Sequence, residues 1–146
     1  MPKKILIIKS SSMGDIVHAL PVAYDIKKHY PDCELSWVVE ESFTDIPKLS
    51  PFVDKLVVTA FRRWRKNIFS SSVRGEILAV RRALAEAKYD IVIDLQGLIR
   101  TAVVARWAGV ESVGYSKENI KEPLAAHFYS RTLPVSNKLV PVVRYR

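Results

Sequence analysis

Residues 3–21, KKILIIKSSSMGDIVHALP, decide the fold. The apolar run Ile5-Leu6-Ile7-Ile8 stops at Lys9. Ser10-Ser11-Ser12 and Met13-Gly14-Asp15 follow, and a helical pattern takes over at Ile16. This reads as a buried strand, a tight polar loop and the start of a helix. In open α/β sheets such a loop sits at the carboxyl end of its strand, where ligands bind.

Outward from that stretch, strands and helices alternate. The first strand is expected over residues 4–9 and the first helix from Asp15 to Tyr30. Pro21 has no N–H for the Val17 carbonyl, so this helix is either kinked or begins near Pro21. Leu35, Trp37 and Val39 alternate in a second strand over 34–39, which Glu40-Glu41 close; a short helix is expected between Phe43 and Leu49, and a third strand over 55–60. FRRWRKNIFSSS, residues 61–72, would place Phe61, Trp64 and Ile68 on one side if helical. Ile77, Val80, Ala83, Leu84 and Ala87 recur at helical spacing in a helix over 73–88. Asp90–Leu95 is the fourth strand, Gln96-Gly97 a turn, and 98–108 another helix stopped by Gly109. A short strand over 111–115, a helix over 123–129, an extended piece at Leu133–Val135 and a basic tail over 136–146 complete the chain. The alternation implies βαβ units: an α/β, Rossmann-like parallel sheet with helices on both faces. The loops after the first four strands then share one edge and bring together Ser10–Asp15, Glu40-Glu41, Arg62–Lys66 and Gln96-Gly97.

Composition sets limits on partners. Hydrophobic residues make up 49% and charged residues 26% of the 146, the profile of a globular chain rather than a disordered one. No apolar run approaches the length of a membrane span, and no signal-peptide pattern is visible. The single cysteine, Cys33, has no internal partner for a disulfide and fits a reducing compartment. A net charge of +8 favours an anionic partner: nucleic acid, a membrane surface or a phosphorylated small molecule.

Within the shared edge, Asp15 is either a general base, able to take a proton from a hydroxyl, or a helix cap. His18, one turn on, is most simply packed or solvated. SSSMG lacks both GxGxxG and GxxxxGK[ST], so neither standard nucleotide device is present. Arg62-Arg63-Trp64-Arg65-Lys66 sets four cations around one indole, suited to phosphates or carboxylates, with Trp64 at an apolar boundary; the alternative is a solvated charged loop. Glu40-Glu41 are expected to be solvated or paired with the arginines, Asp94 to brace its loop, and Gln96 with Gly97 to bond a sugar. No metal-ligand spacing occurs, and neither a metal nor a cofactor is expected.

The runs IKSSSMGDIVHALP, WVVEE with Ile46-Pro47, RRWRK, VIDLQGLIRTA and KEPLAAHFYSR, five in order, resemble the lipopolysaccharide heptosyltransferase family, over the N-terminal half of its members. The resemblance implies a GT-B fold, in which two Rossmann-like domains face each other across a cleft. Residues 1–135 would be the N-terminal, acceptor-binding domain, and 136–146 a linker toward a donor-binding domain. It also implies an inverting, metal-independent transfer of L-glycero-D-manno-heptose from ADP-heptose to Kdo-lipid A, at the cytoplasmic face of the bacterial inner membrane, with no nucleic-acid partner. Asp15 falls on the family's catalytic aspartate in SSMGD, beside Ser12, Met13 and Gly14. Arg62, Arg63 and Arg65 fall on the basic segment that meets acceptor phosphates and Kdo carboxylates, and Gln96 is grouped with them. Lys121 stands where the family commonly has arginine in a REP motif, which keeps the charge and loses the bidentate fork. By this resemblance the half-length chain alone is expected to be inactive. The rival reading is a basic nucleic-acid- or nucleotide-binding module. Against it stand the absence of interleaved aromatics and of a glycine fingerprint.

Overall fold

The computed structural model describes residues 1–135. Its strands are β1 (Lys4–Ile8), β2 (Glu34–Glu40), β3 (Lys55–Thr59), β4 (Ile91–Asp94), β5 (Ser112–Tyr115) and β6 (Arg131–Leu133). They form one sheet in the order β3-β2-β1-β4-β5-β6, with every neighbouring pair parallel. The chain builds outward from β1 in one direction and then, from β4, in the other. The reversal leaves a crevice between the carboxyl ends of β1 and β4, the place where doubly wound sheets bind ligands.

The helices are α1 (Met13–His29), α2 (Phe61–Lys66), α3 (Ser71–Glu86) and α4 (Ile99–Trp107). β1 is apolar throughout because both its faces are covered. Ile5 and Ile7 pack with Leu35, Trp37 and Val39 beneath Ile16, Ala19, Val22 and Ala23 of α1. Leu6 and Ile8 pack with Val38 and Val92 beneath Leu84 of α3 and Val104 and Ala105 of α4. A one-residue slip of β1 would exchange these two sets, so its register is strongly specified. Ala102, Tyr115, Ile120, Ala125 and Tyr129 form a smaller cluster under the last connection.

Several expected boundaries move. α1 starts at Met13 and carries Pro21 within it, so the helix does not begin at the proline. The Val17 carbonyl loses its usual partner there, on a residue that is half-exposed. Phe43–Leu49 is not one helix; two 3-10 turns occupy Glu41–Phe43 and Pro47–Leu49. Residues 61–72 divide, with α2 ending before Asn67 and α3 starting at Ser71, two residues earlier than its apolar pattern suggests. α3 stops at Glu86, because Lys88 has φ +54°. Pro123–Phe128 is a 3-10 helix. The expected extended piece at 133–135 is instead centred on Thr132, as the edge strand β6. The proposed tail, 136–146, lies outside the described residues.

Candidate functional site

The crevice is closed from below by hydrogen bonds between its two loops. The Ser11 amide donates to Gln96 Oε1 at 3.4 Å, and Gln96 Nε2 donates to Ser11 Oγ at 3.4 Å. Gln96 is buried, and its amide group serves the loop pairing. The Trp37 indole N–H donates to the Lys9 carbonyl at 3.0 Å, and the Glu40 amide to the Ser10 carbonyl at 3.1 Å. These bonds fix the path of residues 9–12 as they leave β1.

Asp15 lies in the first turn of α1, half-buried. Its Oδ2 accepts the Ser12 N–H at 3.4 Å; Oδ1 has no partner among the described residues. The capping role and an open oxygen therefore coexist on one carboxylate. Ser12, Met13 and Gly14 are exposed beside it, and Met13 keeps 61% of its surface in solvent. A Cβ on Gly14 would meet no atom within 4 Å, so the space over the loop is open.

Asp94, at the end of β4, is fully buried and braces its loop as expected. It accepts the Gln96 N–H at 2.8 Å and the Gly97 N–H at 3.4 Å, the Thr101 hydroxyl at 2.9 Å and the Tyr129 hydroxyl at 2.5 Å. Burial pushes the Asp94 carboxyl above the usual carboxylate range, against the pull of its donors. Burial and the neighbouring Asp94 charge raise Tyr129 as well. Gly97, at φ +75°, makes the turn into α4; a Cβ there would sit 3.0 Å from Ile120 Cγ1.

The basic segment reaches the same edge through β3. Glu40 is not solvated: it is 3% exposed, and its carboxylate accepts the backbone N–H groups of Phe61 at 3.1 Å and Arg62 at 3.2 Å. It thus caps α2 and complements the positive end of that helix. Since Glu40 also bonds Ser10 through its own amide, one residue couples the β1 loop to the arginines. Within α2 the cations differ. Arg63 is held by two carboxylates, Glu41 at 3.2 Å and Glu76 at 2.8 Å, and Glu76 also takes the Trp64 indole N–H at 2.7 Å. Glu76 and then Glu41 raise the Arg63 guanidinium, and Arg63 with Trp64 holds Glu76 below the carboxylate range. Arg62 and Arg65 are exposed and have no carboxylate partner among the described residues; Arg62 lies 5.8 Å from the Phe43 ring centroid. Ile68 falls beyond the end of α2, yet it lines the same groove as Phe61 and Trp64.

Lys121 is exposed in the connection after β5, and that connection is tied to the Gln96 turn. The Glu122 amide donates to the Gly97 carbonyl at 3.2 Å, and the Glu122 carboxylate accepts the Ile99 N–H at 3.4 Å. Ser12, Asp15, Arg62, Arg65, Gln96 and Lys121 therefore all stand at the carboxyl edge of the sheet. Three contributors had no signal of their own in the sequence: Glu40 and Glu122 as caps, and Tyr129 as the partner of Asp94. A fourth residue at this edge, the exposed Arg100, could have been found from its place in the first turn of α4, which follows β4. Among the described residues no three His, Cys, Asp or Glu side chains gather as a metal site, and no helix is long and apolar enough to cross a membrane.

A parallel sheet ordered 3-2-1-4-5-6, with its polar groups at the switch point, defines a Rossmann-like domain. The model of Glycosyltransferase family 9 (heptosyltransferase) matches residues 77–146. Lipopolysaccharide heptosyltransferase 1 of Pseudomonas aeruginosa is 40% identical over 134 residues, 91% of this chain and 38% of that protein. The Escherichia coli K12 protein of the same name is 40% identical over 144 residues, 98% of this chain and 45% of that protein. The structure of E. coli heptosyltransferase WaaC with ADP-2-deoxy-2-fluoro heptose superposes with a TM-score of 0.93 over 98% of this chain and 46% of that one. The chain is thus related, in sequence and fold, to the N-terminal half of the lipopolysaccharide heptosyltransferases of glycosyltransferase family 9. It spans less than half the length of the curated relatives it matches.

Proposed function

We propose that residues 1–135 are the acceptor-binding domain of a heptosyltransferase, which transfers L-glycero-D-manno-heptose from ADP-heptose to Kdo-lipid A with inversion. Asp15 Oδ1 takes the proton of the acceptor hydroxyl as that oxygen bonds to the anomeric carbon. The bond from that carbon to the ADP oxygen breaks, and ADP leaves with the electron pair. Arg62 and Arg65 hold the acceptor's phosphates and carboxylates, with Lys121 as a further cation and Ser12, Met13, Gly14 and Gln96 as the floor. Arg63 supports this set by fixing α2. The donor is held by sequence outside residues 1–135, so these residues by themselves bind acceptor without turning it over. The acceptor's place in the membrane makes the protein peripheral at the cytoplasmic face of the bacterial inner membrane. The observation that carries this reading is the shared edge: an Asp15 oxygen in the first turn of α1 without a partner among the described residues, and Arg62 and Arg65, which have no carboxylate partner among those residues, on a helix linked to the β1 loop through Glu40.

The test is a titration of deacylated Kdo-lipid A, the head group alone, into the wild-type chain and R62A/R65A. Binding at low salt that weakens roughly tenfold or more in the variant is expected, the size of two lost charge-assisted contacts. D15N in a full-length relative should abolish most turnover with little change in acceptor binding, as for loss of a general base. Head-group binding that ignores the arginines, or turnover that survives D15N, sinks the assignment.

A further inference from the structure

A groove of about 530 Å³ opens between α2, α3 and α4, on the sheet face opposite α1. Its walls include Ile68, Ile77, Val103 and Trp107. Arg62, Arg65 and Arg100, all exposed, also line it. Arg100 is braced over the Phe61 ring at 5.4 Å, and none of the three has a carboxylate partner among the described residues. Just past α2 the apolar lining continues outward: Ile68 is 47% exposed and Phe69 84% exposed.

We propose that this groove takes an acyl chain of the anionic lipid whose head group Arg62 and Arg65 bind. The proposal rests on the acceptor reading above and extends it from the head group to the lipid tail. A slot lined mostly by hydrocarbon, with three exposed arginines among its lining residues, matches the division of a lipid into tail and charged head. Arginine suits the boundary: its stem packs along apolar surface while its fork holds phosphate or carboxylate. Three like charges without counter-ions select against a basic helix or a second copy of this chain, whose net charge is +8. Phe69 and Ile68 at the outer lip supply the apolar contact that a membrane-surface segment needs. Groove and head-group site share Arg62 and Arg65, so one lipid molecule can fill both.

The experiment compares a short-chain acylated analogue of Kdo-lipid A, kept monomeric below its micelle concentration and called the intact lipid below, with its deacylated counterpart, on the wild-type chain and on V103W, which fills the groove. The wild type is expected to bind the intact lipid roughly tenfold or more tightly than the deacylated one, as burial of a few methylenes requires. V103W should reduce the intact lipid to the affinity of the deacylated one. In the unsubstituted chain, tryptophan emission should shift to the blue with intact lipid and not with the deacylated form, and W107F should reduce the shift, with Trp64 in the same groove reporting the rest. This readout stands even where V103W folds poorly. Equal wild-type affinities with no emission shift overturn the groove proposal and leave the head-group reading intact. Failure to bind either form overturns both. A dimer in sedimentation that V103W dissociates would make the groove a self-interface and also overturns the proposal.

Discussion

Tyr129 donates its hydroxyl to the Asp94 carboxylate at 2.5 Å, across 35 residues of sequence, and so pins the last connection of the domain to the loop that forms the floor of the crevice. The same carboxylate holds the Gln96 and Gly97 amides, and Gln96 in turn holds Ser11. A single buried acid thereby sets the shape of both loops at the switch point.

Tyr129→Phe should cost about 1.5–3 kcal/mol, the range for a buried hydrogen bond to a charged group. Asp94→Asn should cost more, because with its oxygen kept on the Gln96 and Gly97 amides its NH2 meets the hydroxyls of Thr101 and Tyr129, both of which donate to the carboxylate in the wild type and must turn. Urea denaturation of the three proteins checks the order. Should Asp94→Asn prove the milder change, the carboxylate is not the hub of this network.

Gly114 makes that bond possible. A Cβ built on it would lie 2.2 Å from Tyr129 Cε2, so only glycine lets the ring lie flat on β5. Gly114→Ala must displace the ring, strain the backbone, or both, and an overpacking cost of about 1–3 kcal/mol is expected. Since that cost acts through Tyr129, Gly114→Ala and Tyr129→Ala should combine with markedly less than additive effect. Strict additivity in the double-mutant cycle would place the damage elsewhere.

Much of this fold is legible in residues 4–9 and 91–95, because strands buried on both faces are nearly unbroken apolar runs. The switch-point loop follows from β1, and the position of Asp15 from the residue count to the first helical turn. What the sequence conceals is pairing over distance. Glu40 and Glu41 read as solvated or as partners of the arginines; Glu41 does pair with Arg63, but nothing local announces that Glu40 is buried and that the amides of residues 61 and 62 arrive above it. Tyr129 and Asp94 are likewise joined only by the return of the chain along β6. The Pro21 ambiguity is settled by burial: Ile16 and Ala19 face the core before the proline as Val22 and Ala23 do after it, so the packed face recruits the first turns into α1.

Asp54 gives the pH dependence a definite sign. Burial works against its charge, but the Leu35 N–H at 2.7 Å and the Lys27 ammonium at 2.7 Å hold its carboxyl below the ordinary value of 3.8. The folded state therefore binds this proton less readily than the unfolded one. Its contribution is fully present above the unfolded value and disappears as pH falls through the lower folded value. Asp54→Asn should accordingly be less stable than wild type at neutral pH, with the gap closing in acid. A stability difference between the two that is flat from neutral pH into strong acid would refute the assignment.

The arginines of α2 should separate into two kinds by experiment. Arg63 is engaged by Glu41 and Glu76, and Glu76 by Trp64, the buried anchor of α2 against Val73 and Ala60. Arg63→Ala leaves two carboxylates facing each other without their shared cation, and its loss is felt first in the packing of α2. These partners are largely exposed, so the stability change should be small and should shrink further in salt as screening rises. Arg62 carries no such load, being set only by the Glu40 cap on its amide and by its place over Phe43. Arg62→Ala should leave the melting temperature nearly unchanged while weakening the binding of deacylated Kdo-lipid A and flattening its salt dependence. Arg63→Ala should do the reverse in kind, and Glu76→Gln should reproduce it, because removing either partner breaks the same pair. If Arg63→Ala weakens acceptor binding as strongly as Arg62→Ala while Glu76→Gln leaves binding intact, Arg63 turns from its carboxylates to the ligand, and the division of labour within RRWRK is the opposite of the one its ion pairs imply.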